Sequence, residues 1–111
     1  MVEFLTIGRR ESWPMTAGDR PVVAVLAGEP ASLTPAEVLV AAADLARIRF
    51  LLDSREASPQ LRAVCESLAP TATVDFTDPT SCLSALREAG VSVVATFTDV
   101  LCPLVAVLNG R

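Results

Sequence analysis

At 111 residues the chain is long enough for one hydrophobic core and too short for two. Apolar residues make up 51% of it and aromatic ones 5%, so the core has to be built from Val, Leu and Ala, and a net charge of −4 argues against a nucleic-acid partner, which needs clustered Lys or Arg to displace counterions. Histidine, lysine and tyrosine are absent, which removes the imidazole base, the Schiff-base lysine and the phenolic acid and leaves a set better suited to holding a ligand than to transforming it.

Residues 1–20 read as an N-terminal extension in which Val2, Phe4 and Leu5 make a short edge strand, and Glu11 to Asp19 a loop; residues 21–111 read as one α/β domain. Trp13 is expected to lid one end of the core, and Arg9-Arg10 is too short a basic run to mark a partner. Pro21 to Ala27 is an uninterrupted apolar run closed by Gly28, as expected of a central strand buried on both faces. Thr34-Pro35-Ala36-Glu37 then supplies an N-cap hydroxyl, a proline at the first helical position and a glutamate at the third, a capping box that predicts a helix to about Leu45. Its Ala41-Ala42-Ala43 stretch is expected to approach the sheet closely.

Ile48 to Leu52 is the second strand, and Asp53 ends it. Ser58-Pro59 repeats the cap-plus-proline start for a helix with Leu61, Val64, Cys65 and Leu68 on one stripe. Ala72 to Phe76 is a partly polar strand expected at an edge; Asp78-Pro79 starts a third helix through Cys82, Ala85, Leu86 and Ala89, with Gly90 as its C-terminal stop. Val91 to Phe97 is the fourth strand, leading through Thr98-Asp99 into a helix that begins near Cys102, where Pro103 is tolerated.

Parallel strands need crossover connections, usually helical, so this alternation predicts a small parallel sheet with helices on both faces, a Rossmann-like α/β fold. Right-handed crossovers give the strand order 3-2-1-4, counted from Pro21, with the switch point between the first and fourth strands. Ligand contacts are therefore expected on Gly28, Glu29, Thr98 and Asp99, as substrate-binding positions and not as catalysts. Asp53 sits where a ribose-binding acid would, at the end of the second strand, and is equally placed to cap a turn. Glu29 and Pro30 stand where a dinucleotide binder carries further glycines, so tight pyrophosphate binding at this turn is disfavoured.

Asp75 and Asp78 lack the companions of a catalytic dyad, and Arg47 and Arg49 fall at the far end of the second strand. Cys65, Cys82 and Cys102 show no paired spacing and no histidine, so no metal site is expected; small apolar residues in a reducing compartment fit them. No signal-type stretch and no 18-residue apolar span is present, which gives a cytoplasmic protein without a membrane partner as the expectation.

Two stretches, Arg49 to Asp53 and Val93 to Asp99 with Val100 to Gly110 behind it, resemble the N-terminal domain that precedes the ATP-grasp fold in carboxylate-amine ligases. The resemblance spans Pro21 to Arg111, and Pro103 departs from it. It implies a substrate-side domain of a ligase that joins a carboxylate to an amine through an acyl phosphate, inactive alone. Its partners would be the remaining ATP-grasp domains of the same polypeptide and a small carboxylate or amine. ATP and Mg are expected only in those downstream domains, with none bound by this chain alone. Two alternatives stay open: a stand-alone nucleotide-binding or regulatory module that uses Asp53 on a ribose, and a structural domain whose last helix docks a partner.

Overall fold

The computed structural model describes residues 3–6, as backbone, and 20–110; Val2, Arg9, Arg10, Trp13 and the loop expected over Glu11 to Asp19 lie outside them. A strand β1 (Glu3–Thr6) is followed by β2 (Val22–Ala27), α1 (Pro35–Ala42), β3 (Arg47–Asp53), α2 (Pro59–Leu68), β4 (Thr71–Val74), α3 (Pro79–Glu88), β5 (Val93–Thr96), a single 3-10 turn over Asp99–Leu101, and α4 (Cys102–Asn109). The sheet order is β1-β5-β2-β3-β4, in which the four strands β5, β2, β3 and β4 are mutually parallel. Counted from β2, this is the expected 3-2-1-4. β1 pairs antiparallel with β5, Glu3 opposite Thr96 and Thr6 opposite Val93.

Period-two alternation along the strands divides the core in two. Val23 and Val25 of β2, Phe50 and Leu52 of β3 and Val93 and Ala95 of β5 share one face with Val38 of α1 and Leu61 and Cys65 of α2. Ala24, Leu26, Leu51 and Val94 share the other with Cys82 and Leu86 of α3 and Val105 and Leu108 of α4. Each face thus carries two helices, and β2, covered on both sides, is apolar at every position.

The three cap-plus-proline signals start three helices. Thr34 Oγ1 accepts from the Glu37 N–H (3.2 Å) while the Glu37 carboxylate accepts from the Thr34 N–H (2.9 Å), a closed capping box. The Thr34 N–H first, and the Thr34 hydroxyl second, stabilise the carboxylate and hold the Glu37 carboxyl below its ordinary value. Ser58 Oγ accepts from the Leu61 N–H at 3.0 Å, and Asp78 Oδ1 from the N–H groups of Thr80 and Ser81. At the far end of α3 the Val91 N–H donates to Leu86 O and the Gly90 N–H to Arg87 O, both at 3.1 Å. Gly90 has φ of 68°, so this is a Schellman stop that needs glycine.

Some expectations are corrected. α1 ends at Ala42, not near Leu45, because the chain must turn to bring Arg47 into register with Val22; the Leu45 N–H closes back on Ala42 O (2.9 Å), and Arg20 Nη1 donates to Ala43 O (2.6 Å). Ala41 and Ala43 consequently face solvent, and Val38 with Leu39 makes the sheet contact instead. On α2 only Leu61 and Cys65 are buried, while Val64 is 44% exposed. β4 stops at Val74, releasing Phe76 from the strand, and Thr71–Val74 is an edge as expected.

Cys65 and Cys82 are fully buried and Cys102 is half-buried; all three are free thiols. Only Cys102 is therefore expected to react with a thiol-specific aromatic disulfide within minutes in the native state, with all three reacting in denaturant; counting released chromophore checks this. No helix among the described residues is long and apolar enough to cross a membrane.

Candidate functional site

The carboxyl ends of the parallel strands carry the switch point, between β2 and β5, and the structure opens a cleft there of about 330 Å3. That is the small end of the roughly 300–1,000 Å3 range of small-molecule sites. Gly28 and Glu29 come to it from the end of β2, Asp53, Glu56 and Ala57 from the end of β3, Phe76 from the turn after β4, and Thr98, Val100 and Leu101 from beyond β5.

Three connections fix the tips. Thr96 Oγ1 donates to Leu26 O at 2.8 Å, a buried tie between β5 and β2, and accepts from the Thr98 N–H at 3.2 Å. The Ser32 N–H donates to Phe97 O at 2.8 Å, holding the loop after β2 against the end of β5, and the Glu29–Pro30 peptide inside that loop is cis. Glu29 Oε1 accepts from Ser58 Oγ at 3.2 Å, so the hydroxyl that caps α2 also orients a carboxylate of the cleft.

Asp53 is held in a related way. Its Oδ1 accepts from the backbone N–H of Arg55 (3.2 Å) and of Phe76 (3.3 Å), bonds in which Oδ2 takes no part. It therefore fills the turn-capping role open to it from sequence and lines the cleft as well. Asp75 lies just outside: Thr77 donates its hydroxyl (2.6 Å) and its N–H (2.9 Å) to Asp75 Oδ1, and these bonds, with the Arg55 guanidinium at 3.4 Å a lesser cause, hold its carboxyl below the ordinary value. Arg55, the arginine nearest the tip of β3, is thus paired away from the cleft. Asp78 caps α3, and Arg47 sits at the start of β3, its Nε donating to Arg20 O. Neither belongs to the site.

Thr98 is 2% exposed, and its Oγ1 is buried without a hydrogen-bond partner. An unmatched buried hydroxyl costs about 1–3 kcal/mol relative to a satisfied one, and Thr98 is part of the cleft lining. Gly28 lies against it: a Cβ there would meet Thr98 Cγ2 and Leu101 Cδ1 at 3.2 Å and Thr98 Oγ1 at 3.4 Å. Gly28→Ala is expected to cost about 1–2 kcal/mol through this overpacking, read as a lower urea midpoint with an unchanged slope.

Of the five positions singled out from sequence, Gly28, Glu29, Asp53 and Thr98 line one cleft. Asp99 does not; one step further along the 3-10 turn, it lines a neighbouring hollow of about 190 Å3 with Pro30, Ser32 and Phe97. The N-cap position of α4 is taken by Leu101, which offers no side-chain cap bond. Glu56, Phe76 and Leu101 escaped the sequence reading, although Glu56 sits in the loop between Asp53 and the Ser58 cap, which the topology places at the same edge.

The lining is acidic, with Glu29, Asp53 and Glu56 and no cationic side chain. Pro30 contributes no N–H. A triphosphate does not fit such a wall, and among the described residues no group of three or more His, Cys, Asp or Glu could hold a metal ion. The chain matches no family model, no curated protein and no solved structure.

Proposed function

We propose that the chain is a small-molecule-binding Rossmann-like domain that supplies the substrate side of an ATP-grasp-type ligase, in which a carboxylate is activated as an acyl phosphate and captured by an amine. One observation supports it above the rest: Gly28, Glu29, Asp53 and Thr98, drawn from three strand ends, meet on one cleft at the switch point. In this reading the domain binds and orients a substrate, and ATP with magnesium belongs to other domains, because the cleft's own residues suit neither. The three free thiols fit a cytoplasmic setting.

The alternative is a stand-alone module that seats a nucleoside on Asp53, and what favours it is Oδ2, unused by the turn that Oδ1 caps. A backbone-amide NMR titration of the chain tests both. Free amino acids and amines are expected to move the resonances of Gly28, Glu29, Asp53 and Thr98, and ATP, AMP and NAD to leave them in place. Movement at Asp53 with AMP or NAD alone would replace the ligase reading by the module. Silence with every compound would remove both. For the ligase assignment itself, the reading frame after Arg111 decides: a glycine-rich loop and paired acids downstream support it, and an immediate stop codon ends it for this polypeptide.

A further inference from the structure

We infer, building on the substrate-side reading, that the cleft selects an organic cation, an ammonium or guanidinium compound with a short apolar body. Its polar wall consists of acceptors. Glu29 and Asp53 are each anchored through a single carboxylate oxygen, Oε1 to Ser58 and Oδ1 to the Arg55 and Phe76 amides, and those anchors leave the second oxygen of each unengaged. Glu56 adds a third carboxylate at the rim, and no arginine lines the space to neutralise them. The arginine closest in sequence, Arg55, is committed to Asp75.

An acidic rim alone would be an ordinary solvated surface. The independent observation is Thr98, which lines the same cleft and whose hydroxyl is buried with both of its hydrogen-bonding capacities unused. A ligand N–H or O–H reaching it would satisfy the one buried side-chain oxygen left unmatched among the described residues. Between rim and base the walls are Ala57, Leu61, Phe76 and Leu101, which suit an apolar body and exclude water from around the charge. The three acids do not come together as a chelating group. The inferred ligand is therefore an extended organic cation and not a bare metal ion.

Three probes of one shape and different charge test this: benzylammonium, benzyl alcohol and benzoate, titrated into the whole chain at pH 7 by calorimetry and amide NMR. Benzylammonium is expected to move the amides of Gly28, Asp53 and Thr98, benzyl alcohol to bind at least tenfold more weakly, and benzoate not to bind. Asp53→Asn keeps the Oδ1 acceptor for both backbone amides, so the fold is retained, and it should weaken benzylammonium at least tenfold; Glu29→Gln, which keeps the acceptor for Ser58, serves as the second variant. Thr98→Val should weaken binding several-fold while holding or raising the thermal midpoint, a combination that a purely structural threonine would not give. Glu88→Gln, on the last turn of α3 outside the cleft, should change nothing.

Equal affinity for the three probes, or unchanged affinity in both carboxamide variants, overturns the cation assignment and leaves the ligand site standing. Displacement of benzylammonium by millimolar magnesium chloride, beyond what sodium chloride of equal ionic strength produces, overturns it in favour of a metal site. Failure of every probe and of every amino acid to move these amides removes the substrate-side reading as well.

Discussion

Between pH 8 and pH 11 the protein should lose about 4–5 kcal/mol of stability, nearly all of it through two thiols. Burial pushes Cys65 from 9.0 up to about 11, with the Glu66 charge adding to it, and burial does the same to Cys82, helped by the charges of Asp78, Asp53 and Asp75. In the unfolded chain these thiols ionise near pH 9, and in the folded chain they stay protonated until about 11. Their contribution is therefore intact below pH 9 and disappears as pH rises to 11, at about 2 kcal/mol per thiol. The composition makes the experiment clean. The sequence has no lysine and no tyrosine to add their own ionisation to this window. Urea midpoints at half-unit intervals should fall steeply above pH 9 in the native sequence. The Cys65→Ala, Cys82→Ala double variant should start lower and show almost no slope. A parallel decline in both proteins would mean that the thiols are not responsible.

Phe50→Ala should cost about 3–5 kcal/mol, a large share of the roughly 5–15 kcal/mol that holds a domain of this size together. Phe50 is 1% exposed, the largest fully buried side chain among the described residues, and sits mid-β3 between Val25 of β2 and Thr71 of β4. Its ring packs on the face covered by α1 and α2, so truncation removes transfer free energy and leaves a void that two helices cannot close at once. Val40, 79% exposed on α1, is the control, and Val40→Ala should stay within about 0.5 kcal/mol. Equilibrium urea unfolding at pH 7 measures both. A Phe50→Ala loss below about 1 kcal/mol would mean that the core is not packed as described.

The topology was readable from sequence because its signals are local and redundant. Each of α1, α2 and α3 begins with a cap and a proline, β2 has no polar residue, and right-handed crossovers then leave one order for four parallel strands. Where an element's end is set by the need to meet a neighbour, the local signal misleads. Leu45 reads as helical in sequence, yet the register of Arg47 with Val22 forces a turn before it. Val64 has the spacing of a core residue but lies at the rim of the α2 stripe.

The cleft divides along the same lines. Gly28, Glu29, Asp53 and Thr98 follow directly from strand ends, which the topology gathers at one edge. Phe76 continues the apolar pattern of a strand that stops at Val74, and its arrival at the cleft depends on a turn fixed by its own N–H on Asp53, a contact that has no sequence signature. Thr98 and Asp99 are adjacent at one strand end and carry no local signal that separates them; Thr98 lines both the cleft and the hollow beside it, and Asp99 the hollow alone.

The bond from Thr96 to Leu26 spans 70 residues, and the two strands it joins flank the base of the cleft. Closing so long a loop is entropically costly, so the cavity comes into being only after distant parts of the polypeptide have found each other. Occupancy there is consequently coupled to the integrity of the entire fold: a compound at a hundred times its dissociation constant should protect every slowly exchanging amide by about 2.7 kcal/mol, not just those nearby.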